Sequence, residues 1–276
     1  MKSTLNSNKI ISFIGITYTF SWAVWFTGMT LNSEAKIEDL GVYLLIGSFG
    51  PTVAATIMSY LEHGFKGIKQ LFASVFRFKF HVKYWLVSLF MLPVIWSIVF
   101  FLFGKEAVEP DLTGLAYITI LIAPINGFMG IFAGIGPIGE EIGWRGYLLR
   151  KMLEKLSLLK TNFLLGLVWA FWHLPLIIKF PEFRSGIDIG IYLVLYTIMA
   201  VAITSFMTNV WKWTSGSIFI AIWVHSLIND LLAYSENTIW LSNYSKTTLF
   251  MIICFILVIA SALSFFIFTN KKIESD

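Results

Sequence analysis

The sequence predicts an all-α membrane protein, a polytopic helix bundle with about eight transmembrane helices forming a single domain over residues 1–276. Composition is the first reason: 57% of the residues are hydrophobic, only 13% are charged, and the mean hydropathy is +0.78. These values lie outside the range of ordinary globular domains. Apolar runs of spanning length recur along the chain, and no internal repeat, low-complexity tract or linker divides it.

Eight apolar segments have the length of ~20 residues that crosses a hydrocarbon core. They cover residues 10–31, 41–60, 84–104, 115–137, 162–180, 189–209, 215–233 and 248–269. We expect the first to be a retained span, because its run of roughly 22 residues is longer than a signal-peptide core. The single cysteine, Cys254, excludes a disulfide framework and a cysteine-based metal site.

The basic residues indicate the orientation in the membrane. If the segments alternate in direction, 15 of the 20 Lys and Arg residues fall on one side. The other side holds only Lys36, Lys105, Lys179, Arg184 and Lys246. The positive-inside rule then places both termini in the cytoplasm, and we expect the membrane to be that of a bacterial cell. The pI near 9.0 is explained by this excess of basic residues at an anionic leaflet, without a nucleic-acid partner.

Residues 64–83 connect the second and third segments and mix phenylalanines with basic residues. This pattern favours a segment that lies in the membrane interface, and the alternative is a packed cytoplasmic loop. Farther on, Gly134 to Gly139 contain three glycines and a proline, which predict a break in the helix just before an acidic pair.

The acidic pair is the strongest candidate site. Glu140, Glu141 and Arg145 lie at the end of an apolar run, where each charged residue costs at least ~2.5–3.5 kcal/mol on insertion scales. In a helix over residues 139–156, Glu141 and Arg145 are i,i+4 neighbours that can pair, whereas Glu140 points about 100° away. We therefore assign Glu140 to chemistry and the Glu141–Arg145 pair to positioning.

Two histidines lie inside apolar segments and need an explanation. His173 lies in the fifth segment, and His225 lies in the seventh, four residues before Asn229 and on the same helical face. Taken singly, such a histidine is more often a hydrogen-bonding residue between helices. Taken together with the acidic pair, these side chains are expected to meet in the bundle interior.

Two kinds of chemistry fit this set of side chains. A glutamate can act as general base to a water that attacks a carbonyl, most plausibly a peptide bond, while His or Asn donates to the oxyanion. Two histidines and a glutamate also match the ligands of a catalytic zinc. The motifs HExxH and GxSxG and a Walker-type glycine loop are absent from the sequence. A geometrical tension remains, because Glu140 is near the cytoplasmic end of its segment and His173 is well inside its own.

Three motifs follow one another in the chain: Glu140-Glu141-x-x-x-Arg145, Trp169-x-x-x-His173 and His225-x-x-x-Asn229. In this order they resemble the CPBP family, which comprises CAAX prenyl endopeptidases of the Ras-converting type and related bacterial bacteriocin-processing or immunity proteins (Abi). The resemblance covers residues 139–230 and the eight-span architecture. One departure is Trp169, where the family more often has Phe.

The resemblance implies an intramembrane endopeptidase that cleaves a hydrophobic or lipidated peptide near the cytoplasmic face. Glu140 and His173 would activate the water, His225 and Asn229 would stabilise the oxyanion, and Glu141 and Arg145 would hold the first motif in place. Members are commonly labelled metalloproteases, and in that case Glu140, His173 and His225 would bind one divalent metal, such as zinc. The implied site is a conical cavity entered from the cytoplasm or from the lipid.

Two other hypotheses stay open at this point. The protein can be a non-enzymatic membrane partner or bacteriocin-immunity protein that binds peptides or modulates another membrane protein. It can also be a transporter in which the polar groups relay ions or protons. The sequence shows no pair of interrupted segments in matching halves, which disfavours the transporter.

Overall fold

A computed structural model describes residues 2–31, 36–104, 110–133, 136–184, 186–237 and 245–267. Within these ranges the chain forms helices and no strand, which confirms the all-α class. The α-helices are α1 (Lys2–Leu31), α2 (Gly41–Ser48), α3 (Gly50–Ala73), α4 (Val82–Val99), α5 (Pro110–Ala133), α6 (Gly136–Gly143), α7 (Leu149–Leu153), α8 (Leu158–Trp172), α9 (Leu174–Lys179), α10 (Ile189–Trp213), α11 (Ile218–Asn237) and α12 (Lys246–Ile267).

Six of the predicted spans are helices that are long and apolar enough to cross a membrane. They are Asn8–Leu31, Gly41–Phe76, Val82–Leu102, Ile189–Trp213, Ile218–Ser235 and Lys246–Phe265, all within the described ranges. The second is longer than predicted, because α3 continues to Ala73. The protein is therefore a polytopic helix bundle, and the number eight is approximate, since the fourth and fifth predicted spans are not simple helices.

The fourth predicted span is bent. Helix Ile120–Phe132 and helix Gly136–Leu153 meet at 88°, and together they count as a seventh candidate span. The break was predicted to extend to Gly139, but α6 already begins at Gly136. A proline is tolerated in the first turn of a helix, where its missing N–H has no intrahelical partner, so Pro137 starts this helix and does not interrupt it.

The fifth predicted span is also interrupted, because α8 ends at Trp172 and α9 begins at Leu174. Pro175 has no N–H to continue the ladder, so carbonyls in the last turn of α8 need other donors. Helix α1 supplies one of them, because the Trp22 indole donates to Trp172 O at 2.9 Å, and one turn earlier the Tyr18 hydroxyl donates to Val168 O at 2.5 Å. In a lipid-embedded bundle such substitute bonds allow a helix to end at membrane depth.

The segment predicted to lie in the membrane interface, residues 64–83, begins with a sharp bend at Gly64, whose φ of 59° favours glycine. After the bend, α3 exposes Phe65 and Phe72, while Leu71 is buried. Exposed aromatic side chains beside lysines are typical of a segment in the membrane interface. The interfacial position of residues 64–83 stays a prediction.

Helix α6 packs very closely against the junction of α2 and α3. A Cβ atom built on Gly139 would come within 2.8 Å of the Ser48 carbonyl oxygen, and one built on Gly143 would overlap Pro51. The Thr52 hydroxyl also donates to Gly139 O at 2.6 Å. Glycines at i and i+4 thus give α6 one smooth face, and this close packing fixes where Glu140 and Glu141 point.

Replacing Gly139 by Ala is expected to lower the free energy of unfolding by about 1–3 kcal/mol, because the new methyl group overpacks the contact with α2. Thermal unfolding in detergent measures the loss. The matched control is Gly15→Ala in α1, where a Cβ atom meets nothing within 4 Å. Equal melting temperatures for the two variants would show that the close contact is not required.

Candidate active site

The two adjacent glutamates have different partners. Glu141 is fully buried, and its Oε1 accepts a hydrogen bond from Arg145 Nη1 at 2.7 Å, so the predicted i,i+4 pair is present. The same oxygen lies 2.8 Å from His225 Nδ1. Glu141 therefore joins the acidic helix to α11, an interaction that sequence spacing did not indicate.

Glu140 points to a different part of the bundle, where its Oε2 accepts a hydrogen bond from the Trp169 indole at 2.8 Å. Trp169 lies on α8, so this bond joins the first motif to the second. The donor is neutral, whereas Glu141 has a cationic partner. Glu140 is thus the less compensated of the two acids, as its position on the helix predicts.

His173 is the C-cap of α8, and its ring contributes to that cap. Its backbone N–H bonds to Ala170 O, and its Nδ1 lies 3.0 Å from Trp169 O. A carbonyl oxygen can only accept a hydrogen bond, so Nδ1 carries the hydrogen. In the neutral ring, Nε2 then has the lone pair, which is the form that can accept a proton or a hydrogen bond from water.

The position of the hydrogen on the His225 ring follows from the same reasoning. Glu141 is paired with Arg145 and acts as an acceptor, so His225 Nδ1 carries a hydrogen toward it. In the neutral ring Nε2 is an acceptor, and in the protonated ring Nε2 becomes a donor. The Glu141 contact therefore leaves Nε2 as the nitrogen available for a reaction.

Trp169 lies at the centre of this arrangement. Its ring is edge-on to both histidine rings, with centroid distances of 5.5 Å to His173 and to His225. The Arg145 guanidinium is 5.8 Å from the Trp169 ring centroid. Aromatic packing of this kind restricts the rotamers of the imidazoles around Glu140.

One cavity of about 430 Å³ brings the predicted reactive side chains together. Its walls include Glu140, His173, His225 and Asn229, whereas Glu141 and Arg145 lie behind the wall. The other lining residues are mainly aromatic or aliphatic: Trp25, Leu44, Ser48, Trp169, Trp172, Leu176, Tyr192, Tyr196, Met199, Ile203, Leu232 and Phe250. His225 is buried and Asn229 is exposed, so Asn229 is the more accessible of the two.

This cavity also resolves the geometrical tension in the sequence. Glu140 lies near the beginning of helix Gly136–Leu153 rather than near the end of an apolar span, and α8 begins at Leu158, four residues before the predicted start. The acidic helix thus enters the bundle interior, where it meets the C-terminal end of α8.

The three side chains expected to bind a metal, those of Glu140, His173 and His225, all line this cavity. The described parts of the chain contain no group of three His, Cys, Asp or Glu side chains placed to hold a metal ion. Each of the two histidines keeps Nε2 available, because its Nδ1 has a protein partner, and the Trp169 N–H leaves Oε1 of Glu140 available. Glu140, His173 and His225 line one cavity without meeting around one point, and the binding of a divalent metal there stays a prediction.

Sequence reasoning missed three features of the site. It treated Trp169 only as a bulky aromatic, although a buried indole N–H usually finds an acceptor, and the nearby acidic pair supplies one. It assigned His225 to the cavity without its bond to Glu141. It also did not identify Tyr196, whose ring centroid lies 5.7 Å from that of His173.

Comparisons with known proteins find similarity over the part of the chain that lines the cavity. The family model described as "Type II CAAX prenyl endopeptidase Rce1-like" matches residues 119–231, the part of the chain that carries all three motifs. A protein named CAAX prenyl protease 2, from Methanococcus maripaludis, is 27% identical over 254 residues, with coverage of 86% of this chain and 90% of the relative. The chain is thus similar to type II CAAX prenyl endopeptidases over the segment that carries its three motifs, and its apolar helices of spanning length make it an integral membrane protein.

Removing the guanidinium with Arg145→Met is expected to lower the free energy of unfolding by about 3–5 kcal/mol, because Glu141 loses the cation paired with it in the interior. Chemical or thermal unfolding of the purified protein measures this loss. The control is Arg150→Met, because Arg150 is half-buried over the Trp211 ring and has no carboxylate partner among the described residues. A change below ~1 kcal/mol, typical of a surface pair, would contradict a structural role for Arg145.

Proposed function

We propose that the protein hydrolyses a peptide bond next to a hydrophobic or lipidated part of a membrane-associated substrate. The observation that carries the proposal is that Glu140, His173, His225 and Asn229 line one cavity inside an otherwise apolar bundle. Ionisable side chains in the interior of such a bundle are energetically costly, and they usually mark a functional site. The similarity to CAAX prenyl endopeptidases supports the reaction type, and the geometry supports the role of each residue.

The first step is the attack of a water on the scissile carbonyl. Glu140 Oε2 is engaged by Trp169, so Oε1 is the oxygen that accepts the proton from water. His173 accepts the second hydrogen bond of the water at Nε2, because its Nδ1–H is directed to Trp169 O. The water oxygen forms a bond to the carbonyl carbon, and the carbonyl oxygen becomes negatively charged.

The oxyanion is stabilised from α11. The Asn229 amide is a donor in any protonation state, and His225 donates from Nε2 when its ring is protonated, while Nδ1–H stays with Glu141. The C–N bond then breaks, and protonated Glu140 returns its proton to the leaving amine. The products are a carboxylic acid and an amine, which together contain the atoms of the substrate and of one water.

The composition of the cavity wall favours an apolar substrate. Trp25, Trp172, Met199, Leu232 and Phe250 surround the space beside the polar groups. A cavity of about 430 Å³ can hold an apolar chain or a few apolar side chains next to the scissile bond. A charged side chain at the same place would lose its hydration without gaining a partner.

Glu140→Gln should abolish cleavage and leave the melting temperature near that of the wild type, because Glu140 lies outside the buried Glu141–Arg145 pair. His173→Ala should also abolish cleavage, with a lower melting temperature, because its ring also caps α8. Single-turnover cleavage of a panel of prenylated CAAX peptides and hydrophobic leader peptides by purified protein measures this, with metal content determined on the same sample. Glu154→Gln is the matched control, since Glu154 is an exposed acid just after α7. Full cleavage by Glu140→Gln would refute the mechanism, and cleavage that tracks stoichiometric metal would establish a metalloprotease.

Trp169→Phe should reduce kcat by roughly tenfold, since loss of a hydrogen bond to a charged group costs ~1.5–3 kcal/mol and 1.4 kcal/mol is a factor of ten. The control is Trp172→Phe. Trp172 also packs against the His173 ring, with 4.7 Å between the ring centroids, but its indole nitrogen has no hydrogen-bond partner within the described residues. We expect that variant to alter KM more than kcat. Equal losses of kcat would show that the indole N–H has no specific role.

A further inference from the structure

We propose that the cavity opens on the extracytoplasmic side of the membrane, so that the scissile bond of the substrate is reached from outside the cell. This inference deepens the proposed function, because it rests on the same cavity and restricts the substrates that can enter it. It follows from where the cavity lies along the helices and where the basic residues lie.

The cavity extends from the middle of the bundle, at Ile203 and His225, toward one end of it. Its lining residue on α1, Trp25, is close to the C-terminal end of the helix at Leu31. Its lining residues Tyr192 on α10 and Phe250 on α12 are each within one or two turns of the helix start. On α11 the cavity is lined by Leu232, close to the helix end at Asn237. Successive spans alternate in direction, so these positions share the end opposite to the beginning of α1.

The opposite end is marked by a half-buried ionic cluster. Glu62 on α3 accepts from Lys9 at 3.1 Å and from Lys151 at 2.8 Å, and it also bonds to the Tyr147 hydroxyl. These contacts join the beginning of α1 to α3 and α7. The N-terminal part of α1 therefore belongs to the end that is remote from the cavity.

Basic residues are concentrated at that remote end. Within the described ranges they are Lys2, Lys9, Lys66, Lys69, Arg77, Lys79, Lys83, Arg150, Lys151, Lys155, Lys160 and Lys212. At the cavity end the described basic residues are Lys36, Lys179, Arg184 and Lys246. Lys and Arg side chains are attracted to the anionic cytoplasmic leaflet, so the charge distribution favours the remote end in the cytoplasm.

Two expectations from the sequence therefore exclude each other. Cytoplasmic termini and cleavage near the cytoplasmic face cannot both hold, because the termini and the cavity lie at opposite ends of the bundle. The orientation follows from charges of this chain, whereas the cytoplasmic entrance was implied by the resemblance to a prenyl-protein enzyme. We therefore keep the cytoplasmic termini and place the cavity on the outer side.

This orientation defines the class of substrate. The peptide has an apolar or lipidated flank in the outer half of the membrane, and its scissile bond is available after export. A membrane-anchored leader of an exported peptide has this chemistry. A cytosolic protein with a lipidated tail does not reach the cavity from its own side.

Cysteine labelling tests the orientation without relying on cleavage. Ser245→Cys lies at the cavity end, just before α12, and Gln70→Cys lies in α3 at the remote end; both positions are exposed and uncharged. The full-length variants are expressed in a bacterial host, and intact protoplasts are treated with a membrane-impermeant maleimide before and after lysis. The wild type is the control, because its single cysteine, Cys254, is buried.

We expect Ser245→Cys to be labelled as fully in intact protoplasts as after lysis, and Gln70→Cys to be labelled only after lysis. The reverse pattern, or equal labelling of both positions in intact protoplasts, would overturn the proposal. Sealed vesicles sorted by the same labels then receive a leader peptide from outside. If neither orientation cleaves it, the proposed peptidase activity has failed on that substrate while the labelling result still stands.

Discussion

The Glu141 carboxylate, held between Arg145 and His225, is the interaction on which the rest of the site depends. One oxygen receives both contacts, at 2.7 and 2.8 Å, in a position that is closed to solvent. Breaking such a pair by removing one partner typically costs ~3–5 kcal/mol, because the other charge stays buried. The pair therefore fixes the rotation of the acidic helix and the distance from it to α11.

With Glu141 fixed inward, its neighbour Glu140 has to point about 100° away, and the direction it takes is the cavity. The second motif then completes the site through a helix end and hydrogen bonds from neutral side chains rather than through further charges. Pro175 ends α8, and His173 caps it with both its N–H and its ring. Trp169, one turn earlier, donates to Glu140. A π-helical segment at Trp144–Leu148, a feature often found at functional sites, begins three residues after Glu141.

Much of this arrangement could be predicted from sequence, because it depends on local spacing. Composition indicated the helix bundle, the i,i+4 rule indicated the Glu141–Arg145 pair, and the cost of buried polar groups placed Glu140, His173, His225 and Asn229 in the interior. The contacts between helices could not be predicted in this way. The bond from Trp169 to Glu140 and that from His225 to Glu141 depend on the depth at which α6 enters the bundle, and this depth is set by the fit of Gly139 and Gly143 against the α2–α3 junction. Residue spacing also could not predict the side of the membrane on which the cavity lies, because this depends on which end of each helix lines the cavity.

A comparison of the two neighbouring acids tests the central claim most directly, because they differ only in direction. Glu140→Gln and Glu141→Gln would be measured in parallel for melting temperature and for single-turnover cleavage per folded molecule. The account predicts that Glu140→Gln loses cleavage at an unchanged melting temperature, whereas Glu141→Gln mainly loses stability and its folded fraction keeps part of the cleavage activity. The opposite assignment, with Glu140→Gln unfolding the protein and Glu141→Gln removing cleavage from a stable fold, would contradict it.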